Sequence, residues 1–182
     1  MPRRTNREEN MKAKVLIAFG MVLIAACGQG GGGEPVSGTI EVTGQDYEFV
    51  GVPELVAPGA EFTFTNASEA EVHEMIVIGI PADETRTLEE LLELPEEETA
   101  DFPFQGVLVA LPGEDGANPE GAGNTITISE PGRYAVVCFI PQGADPAVVE
   151  EAMAGGGEGP PDMGEGTPHA FLGMAAEFTV EG

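Results

Sequence analysis

Gly132-Arg-Tyr-Ala-Val-Val-Cys-Phe-Ile140 is the stretch that decides the fold. From Tyr134 to Ile140 it is apolar on both faces, and the turn Glu130-Pro-Gly-Arg133 leads into it. A strand buried on both sides suits the middle of a packed sheet. Residues 75–80 have the same character. Around these two, residues 39–43, 61–65, 124–129 and 176–180 alternate apolar and polar side chains with period two, and 107–111 reads as a further strand. Ala57-Pro-Gly59 and Leu111-Pro-Gly-Glu-Asp-Gly116 supply turns. Short strands of this kind, separated by Pro-Gly turns, predict an all-β chain folded as an antiparallel Greek-key β-sandwich.

Two short helical insertions interrupt the strands. Thr87-Leu-Glu-Glu90 has the spacing of a capping box, with Leu88, Leu91 and Leu92 on one face and Pro95 as a stop, so a helix is expected over 87–94. Asp145-Pro146 offers an N-cap and a first-turn proline for a helix over 146–154, with Val149, Ala152 and Met153 on one face and Gly155 as its C-cap. Residues 155–166, rich in Gly, Pro and acid, read as loop, and Glu96-Glu-Glu98 as a solvated charge run.

The N-terminal segment reads as processing signal rather than fold. Met11-Lys-Ala-Lys14 is a basic start, residues 15–25 are an apolar run too short for a stop-transfer helix, and Ile24-Ala-Ala-Cys27 follows. This resembles a bacterial lipoprotein signal peptide. The resemblance implies residues 1–26 as signal, with Met11 a suitable true start, and a lipid on the Cys27 sulfur. Residues 27–34 are then a Gly-rich tether and 35–182 one domain, held on an extracytoplasmic membrane face.

Charge is lopsided. Five of the seven Lys+Arg and two of the 32 Asp+Glu precede Cys27, which leaves only Arg86 and Arg133 against 30 carboxylates, a net of about −28. Such a surface excludes nucleic acid and anionic lipid headgroups as direct partners. A solvating acidic coat is the plain reading; steering toward a cationic redox partner is the functional one.

With Cys27 lipidated, Cys138 has no intramolecular partner, and a lone thiol in an oxidising compartment needs burial or a metal. The chain has two histidines, His73 and His169, and Met174 stands five residues past the second. One thiolate, two imidazoles and one thioether are the donor types of a blue-copper site. Singly, each has an ordinary reading: a buried inert cysteine, a strand histidine, a turn histidine, a core methionine. Met75, Met153 and Met163 read as packing or loop residues. Neither histidine sits in a serine-triad context, no Gly-rich turn follows a strand in phosphate-loop form, and nothing marks an oxyanion hole, so the reading is not an enzyme.

Together these pieces resemble the cupredoxin family, electron carriers of the plastocyanin and azurin type. The matching parts are Asn66…His73 after Phe62-Thr-Phe-Thr65, Gly132-Arg-Tyr…Cys138, and Pro168-His169…Gly173-Met174 before a last strand. The resemblance implies one type 1 copper with His73, Cys138 and His169 as close ligands and Met174 as the distant axial one. It implies His169 nearest the surface as the electron exit, and single-electron exchange with a redox partner. A copper storage or delivery lipoprotein and a metal-free interaction module on the same fold are the alternatives. Two features depart from the family pattern. Cys138 and His169 are 31 positions apart instead of sharing one compact loop, though closure entropy grows only logarithmically with length. Glu74 follows the first histidine where the family often has Asn.

Overall fold

The computed structural model describes residues 33–121, 123–155 and 163–182. The expected signal segment, Cys27, most of the tether and the middle of the 155–166 loop lie outside the described residues. Nine strands among them form two sheets. The first is four-stranded, in the order β2 (Glu48–Val50), β1 (Thr39–Gln45), β4 (Ala60–Asn66), β7 (Ile126–Ile128). The second is five-stranded, in the order β3 (Leu55–Val56), β9 (Ala175–Val180), β8 (Gly132–Val137), β5 (His73–Ile80), β6 (Phe104–Ala110).

The two runs apolar on both faces take the central places: β8 lies between β9 and β5, and β5 between β8 and β6. The chain leaves the second sheet after β6, pairs β7 with β4 in the first, and returns as β8 beside β5. That exchange places sequence-distant strands side by side, as a Greek key requires. The sandwich expected from the sequence is present.

The expectation of antiparallel pairing fails at two places. β1 and β4 are parallel, with Thr39 opposite Glu61 and Gly44 opposite Asn66, and β3 runs parallel to β9. After the β1–β2 hairpin the chain crosses to the edge of the second sheet as β3, then re-enters the first beside β1. A strand that leaves a sheet and comes back this way returns in its original direction. β2 and β3, at three and two residues, are too short for a period-two signal.

Alternation works as the pattern demands: along β4 the burial runs buried-exposed-buried, placing Phe62 and Phe64 inside. Phe62 packs on Phe178 at 4.9 Å between ring centres, and Tyr134 stacks on the same ring at 5.2 Å. The Tyr134 hydroxyl donates to the Glu130 carbonyl at 2.6 Å, pinning the turn four residues upstream in the manner of a tyrosine corner.

α1 spans Leu88–Leu92 with the full Thr87/Glu90 capping box. The Glu96-Glu-Glu98 run, expected as a solvated charge run, is helical: α2, Glu96–Thr99, begins on Pro95, which starts a new turn instead of merely ending the old one. α3 spans Pro146–Gly155, and Asp145 Oδ1 accepts the Ala147 N–H at 2.9 Å. Gly155 is the last helical residue rather than a left-handed cap. A 3₁₀ turn at His169–Leu172 has no counterpart in the sequence pattern.

Candidate metal centre

Three elements bring the donors to one end of the sandwich. His73 is the first residue of β5, Cys138 follows directly on β8, and His169 opens the 3₁₀ turn. All three are fully buried. Their ligand atoms lie within 4.8 Å of one another. His73 Nδ1 faces His169 Nδ1 at 3.1 Å, and Cys138 Sγ is 3.5 Å from His169 Nδ1.

The long excursion between Cys138 and His169 is closed at its neck. Ala170 N–H donates to the Cys138 carbonyl at 2.7 Å, His169 N–H to the Ile140 carbonyl at 3.0 Å, and Gln142 N–H to the Thr167 carbonyl at 3.0 Å. Pro141 and Pro168 form the bridge between these bonds. The insertion therefore does not separate the two ligands.

Met174 is fully buried and tied to both: it accepts the Cys138 N–H through its carbonyl at 3.2 Å and donates its N–H to His169 O at 2.9 Å. Gly173, at φ 115°, makes the left-handed turn that sets up these contacts. Met75 is plain core, and Met153 and Met163 pack on the core's margin.

The segment before His73 is anchored by Asn66, which is buried. Its Nδ2 donates to Glu71 O at 2.8 Å and Ala110 O at 3.0 Å, and its Oδ1 accepts the Ser68 N–H at 2.9 Å. Glu74 does the tying that its position calls for. Its backbone N–H points at Cys138 Sγ at 3.4 Å, and its carboxylate accepts the Phe139 N–H at 2.9 Å. A carboxylate thus joins the two ligand segments. Burial raises its pKa above the usual range.

His169 is not near the surface, and the expectation of an electron exit through its edge is corrected here. Tyr47, from the β1–β2 hairpin, covers the ring at 4.9 Å. Gln142 Nε2 donates to the Tyr47 hydroxyl at 2.6 Å. Glu71 completes the cover: it accepts the Gly143 N–H at 2.9 Å, and its Oε2 is 3.5 Å from His169 Nε2. Sequence reasoning misses Tyr47, Glu71 and Gln142, because nothing in their spacing marks them; they meet His169 only through the fold.

The electrostatics are those of a dry site. Burial, then the neighbouring His169, lowers the His73 pKa to about 4, and burial lowers that of His169. Burial pushes the Cys138 thiol up to about 12. All three donors are therefore neutral at pH 7.

This arrangement fits a soft metal ion. Donors held about 2.0–2.3 Å from one ion stand roughly 3.3–4 Å apart, the scale seen here. Neither Nε2 atom has a hydrogen bond of normal geometry. With Nε2 protonated, two Nδ1 lone pairs converge on a thiol whose single proton can serve only one of them, an arrangement a cation relieves. Two imidazoles and one thiol suit copper in both oxidation states.

No protein family model matches the chain, and no curated protein matches it. Solved structures similar to it include a dithionite-reduced auracyanin from the photosynthetic bacterium Roseiflexus castenholzii. It shares 18% identity over 80% of this chain and 98% of that one, with a TM-score of 0.45. Auracyanin B shares 18% identity over 82% and 93%, with a TM-score of 0.42. Auracyanin A, a "blue" copper protein from the green thermophilic photosynthetic bacterium Chloroflexus aurantiacus, shares 20% over 60% and 90%, with a TM-score of 0.38. The sandwich topology and the donor cluster stand without them.

Proposed function

We propose that this chain is a blue-copper electron carrier of the cupredoxin kind, holding one type 1 copper and exchanging single electrons in the cell envelope. The observation that supports it is the convergence of His73 Nδ1, His169 Nδ1 and Cys138 Sγ within 4.8 Å in a fully buried pocket. The two imidazoles and the thiolate would be the close ligands and Met174 the weak axial one. Copper supplies a one-electron change between two stable oxidation states. The chain supplies rigidity: the β5 and β8 ladders, the neck bonds and the Glu74 ties fix the donors, so little must move as the charge changes. Burial keeps water from the site.

Export and anchoring belong to the same reading. The basic start, the Ile24-Ala-Ala-Cys27 motif and the Gly-rich tether support lipidation at Cys27, which would hold the domain at an extracytoplasmic membrane face. Among the described residues, no helix is long and apolar enough to cross a membrane.

Titration with Cu(II) and Cu(I), followed by visible absorption, tests the function. Intense thiolate-to-Cu(II) absorption at one equivalent is expected. Cu(I) binding without colour would replace electron transfer by storage or delivery, and no binding would leave an interaction module. Mass spectrometry of the membrane-bound protein tests the anchor, and an unmodified Cys27 there would refute it.

A further inference from the structure

The burial of His169 raises the question of where an electron would enter or leave. Of the apolar side chains that border the donors in sequence, Phe139 and Phe171 stand out. Phe139 follows Cys138 and is 39% exposed; Phe171 lies two residues past His169 and is 55% exposed. Neither is spent on the core. Both line one end of a groove of about 520 Å³ on the outer face of the five-stranded sheet. Its floor is Ile78, Ile80 and Val137, and its far wall is Leu88 and Leu92 of α1.

The insertion that forms that wall is acidic. Glu96 lines the groove itself, and Asp83, Glu89, Glu93, Glu97 and Asp101 are exposed elsewhere along the α1–α2 insertion. The one cation of that insertion, Arg86, is already engaged by Glu84 at 2.7 Å and Glu98 at 3.4 Å. An apolar trough beside an insertion whose carboxylates outnumber its cations repels anionic lipid and anionic protein alike. It complements a surface with an apolar apex inside a ring of lysines or arginines.

We infer that this groove is the docking face for a cationic one-electron carrier protein, with the electron crossing at its Phe139–Phe171 end. The inference rests on the copper reading for its electron and on the groove alone for its docking. In the forward direction the site loses one electron and the partner's oxidised centre, such as a ferric haem, gains it; no proton or bond changes hands. Cys138 and His169 reach the groove through one and two residues of backbone, whereas the opposite route runs under the Tyr47, Glu71 and Gln142 cover.

The test uses the full chain with a lysine-rich c-type cytochrome as the probe. In the rim variant three glutamates of the insertion, Glu93, Glu96 and Glu97, are changed together to lysine, Glu96 being the one that lines the groove. A control of equal charge changes Glu41, Glu48 and Glu61, exposed on the four-stranded sheet, to lysine. At low ionic strength the rim variant is expected to slow bimolecular electron transfer by about tenfold or more, and the control by less than about threefold. Phe171→Ser is expected to slow it as well, with the salt dependence retained. Equal slowing by rim and control variants would overturn the proposal, as would a rim variant with the wild-type rate. Docking is read separately by mapping amide chemical shifts of the metal-free chain against the cytochrome. Shifts confined to α1, α2, Phe139 and Phe171 support the groove even if copper binding fails. Shifts on the four-stranded sheet or around Tyr47 and Gln142 overturn it even if copper binds.

Discussion

Glu71 Oε2 lies 3.5 Å from His169 Nε2 while the same oxygen holds the Gly143 N–H at 2.9 Å. One carboxylate thereby links the segment before His73 to the turn after Ile140, and faces the ring of a proposed ligand. A carboxylate on the far nitrogen favours the Nε2–H tautomer and leaves Nδ1 free for metal. Its negative charge also favours Cu(II) over Cu(I). Glu71→Gln keeps an acceptor for Gly143 but removes the charge. We expect Cu(II) affinity to fall by about ten- to a hundredfold with a smaller change for Cu(I), so the reduction potential rises. Potentiometry of the two proteins checks this; an unchanged or lowered potential rejects the role.

Cys138 must lose its proton to bind. Burial holds the thiol at about 12 while both histidines are already neutral near pH 7. Each Cu(II) bound between about pH 6.5 and 8.5 should therefore release close to one proton, and affinity should climb about tenfold per pH unit. Cys138→Ser should abolish the thiolate absorption, since no other thiol belongs to the site. Calorimetry in buffers of different ionisation enthalpy counts the protons, and a count near zero contradicts the assignment.

The strand pattern was legible where strands are long and half-buried, because sustained period-two alternation matches the pleat of a strand and cannot match the turn of a helix. The short edge strands β2 and β3 carry no such signal, and the parallel pairing they produce went unseen with them. The donors were legible for a different reason: Cys138 and the two histidines are scarce residue types, so their pairing needed no geometry. Their cover was not. Tyr47 sits in a hairpin of the four-stranded sheet 122 positions before His169, which follows strands of the other sheet, and the two meet only once the sheets are packed together. Burial of His169 follows from that cover, and so the expected surface exit failed although the ligand assignment did not depend on it.

Asn66 is expected to be costly to replace. In Asn66→Ala, the carbonyls of Glu71 and Ala110 and the N–H of Ser68 lose their partners at a buried junction. Lost hydrogen bonds of this kind cost about 1–3 kcal/mol each when the group stays buried, with partial relief as water enters, so a loss of about 2–4 kcal/mol is expected. Urea unfolding of the metal-free protein measures it. A loss under about 1 kcal/mol would mean that Asn66 does not hold the His73 segment.

Gly44 leaves room for Met174. A Cβ there would stand 2.8 Å from Phe64 Cζ and 2.9 Å from Met174 Cε. Gly44→Ala should cost about 1–3 kcal/mol through overpacking. It should also push the thioether from its resting place, altering the visible spectrum of the copper form while copper stays bound. A spectrum identical to wild type would separate Met174 from the metal.

Acid should destabilise the metal-free protein well above the usual carboxylate range. His73 is held at about 4 and His169 is also lowered, both chiefly by burial. Between about pH 4 and 6.5 the unfolded chain therefore carries protons on these rings that the folded chain refuses. More protons on the unfolded side means stability rises with pH, so it falls as pH drops through this window and levels off below it. His73 carries the resolved part of this slope, at most about 1.4 kcal/mol for each pH unit across the window. Glu74 acts in the opposite sense: raised by burial, it keeps a proton that the unfolded chain gives up, so its contribution falls as pH rises above 4.5. Cys138 does the same from about pH 9 toward 12. Measured in a Glu74→Gln background, which removes the opposing group, thermal stability should decline steadily from about pH 6.5 to 4.5, and His73→Gln should flatten much of that slope. A flat profile in the Glu74→Gln protein would mean that the folded site accepts protons freely, and would sink the account of a dry, neutral cluster.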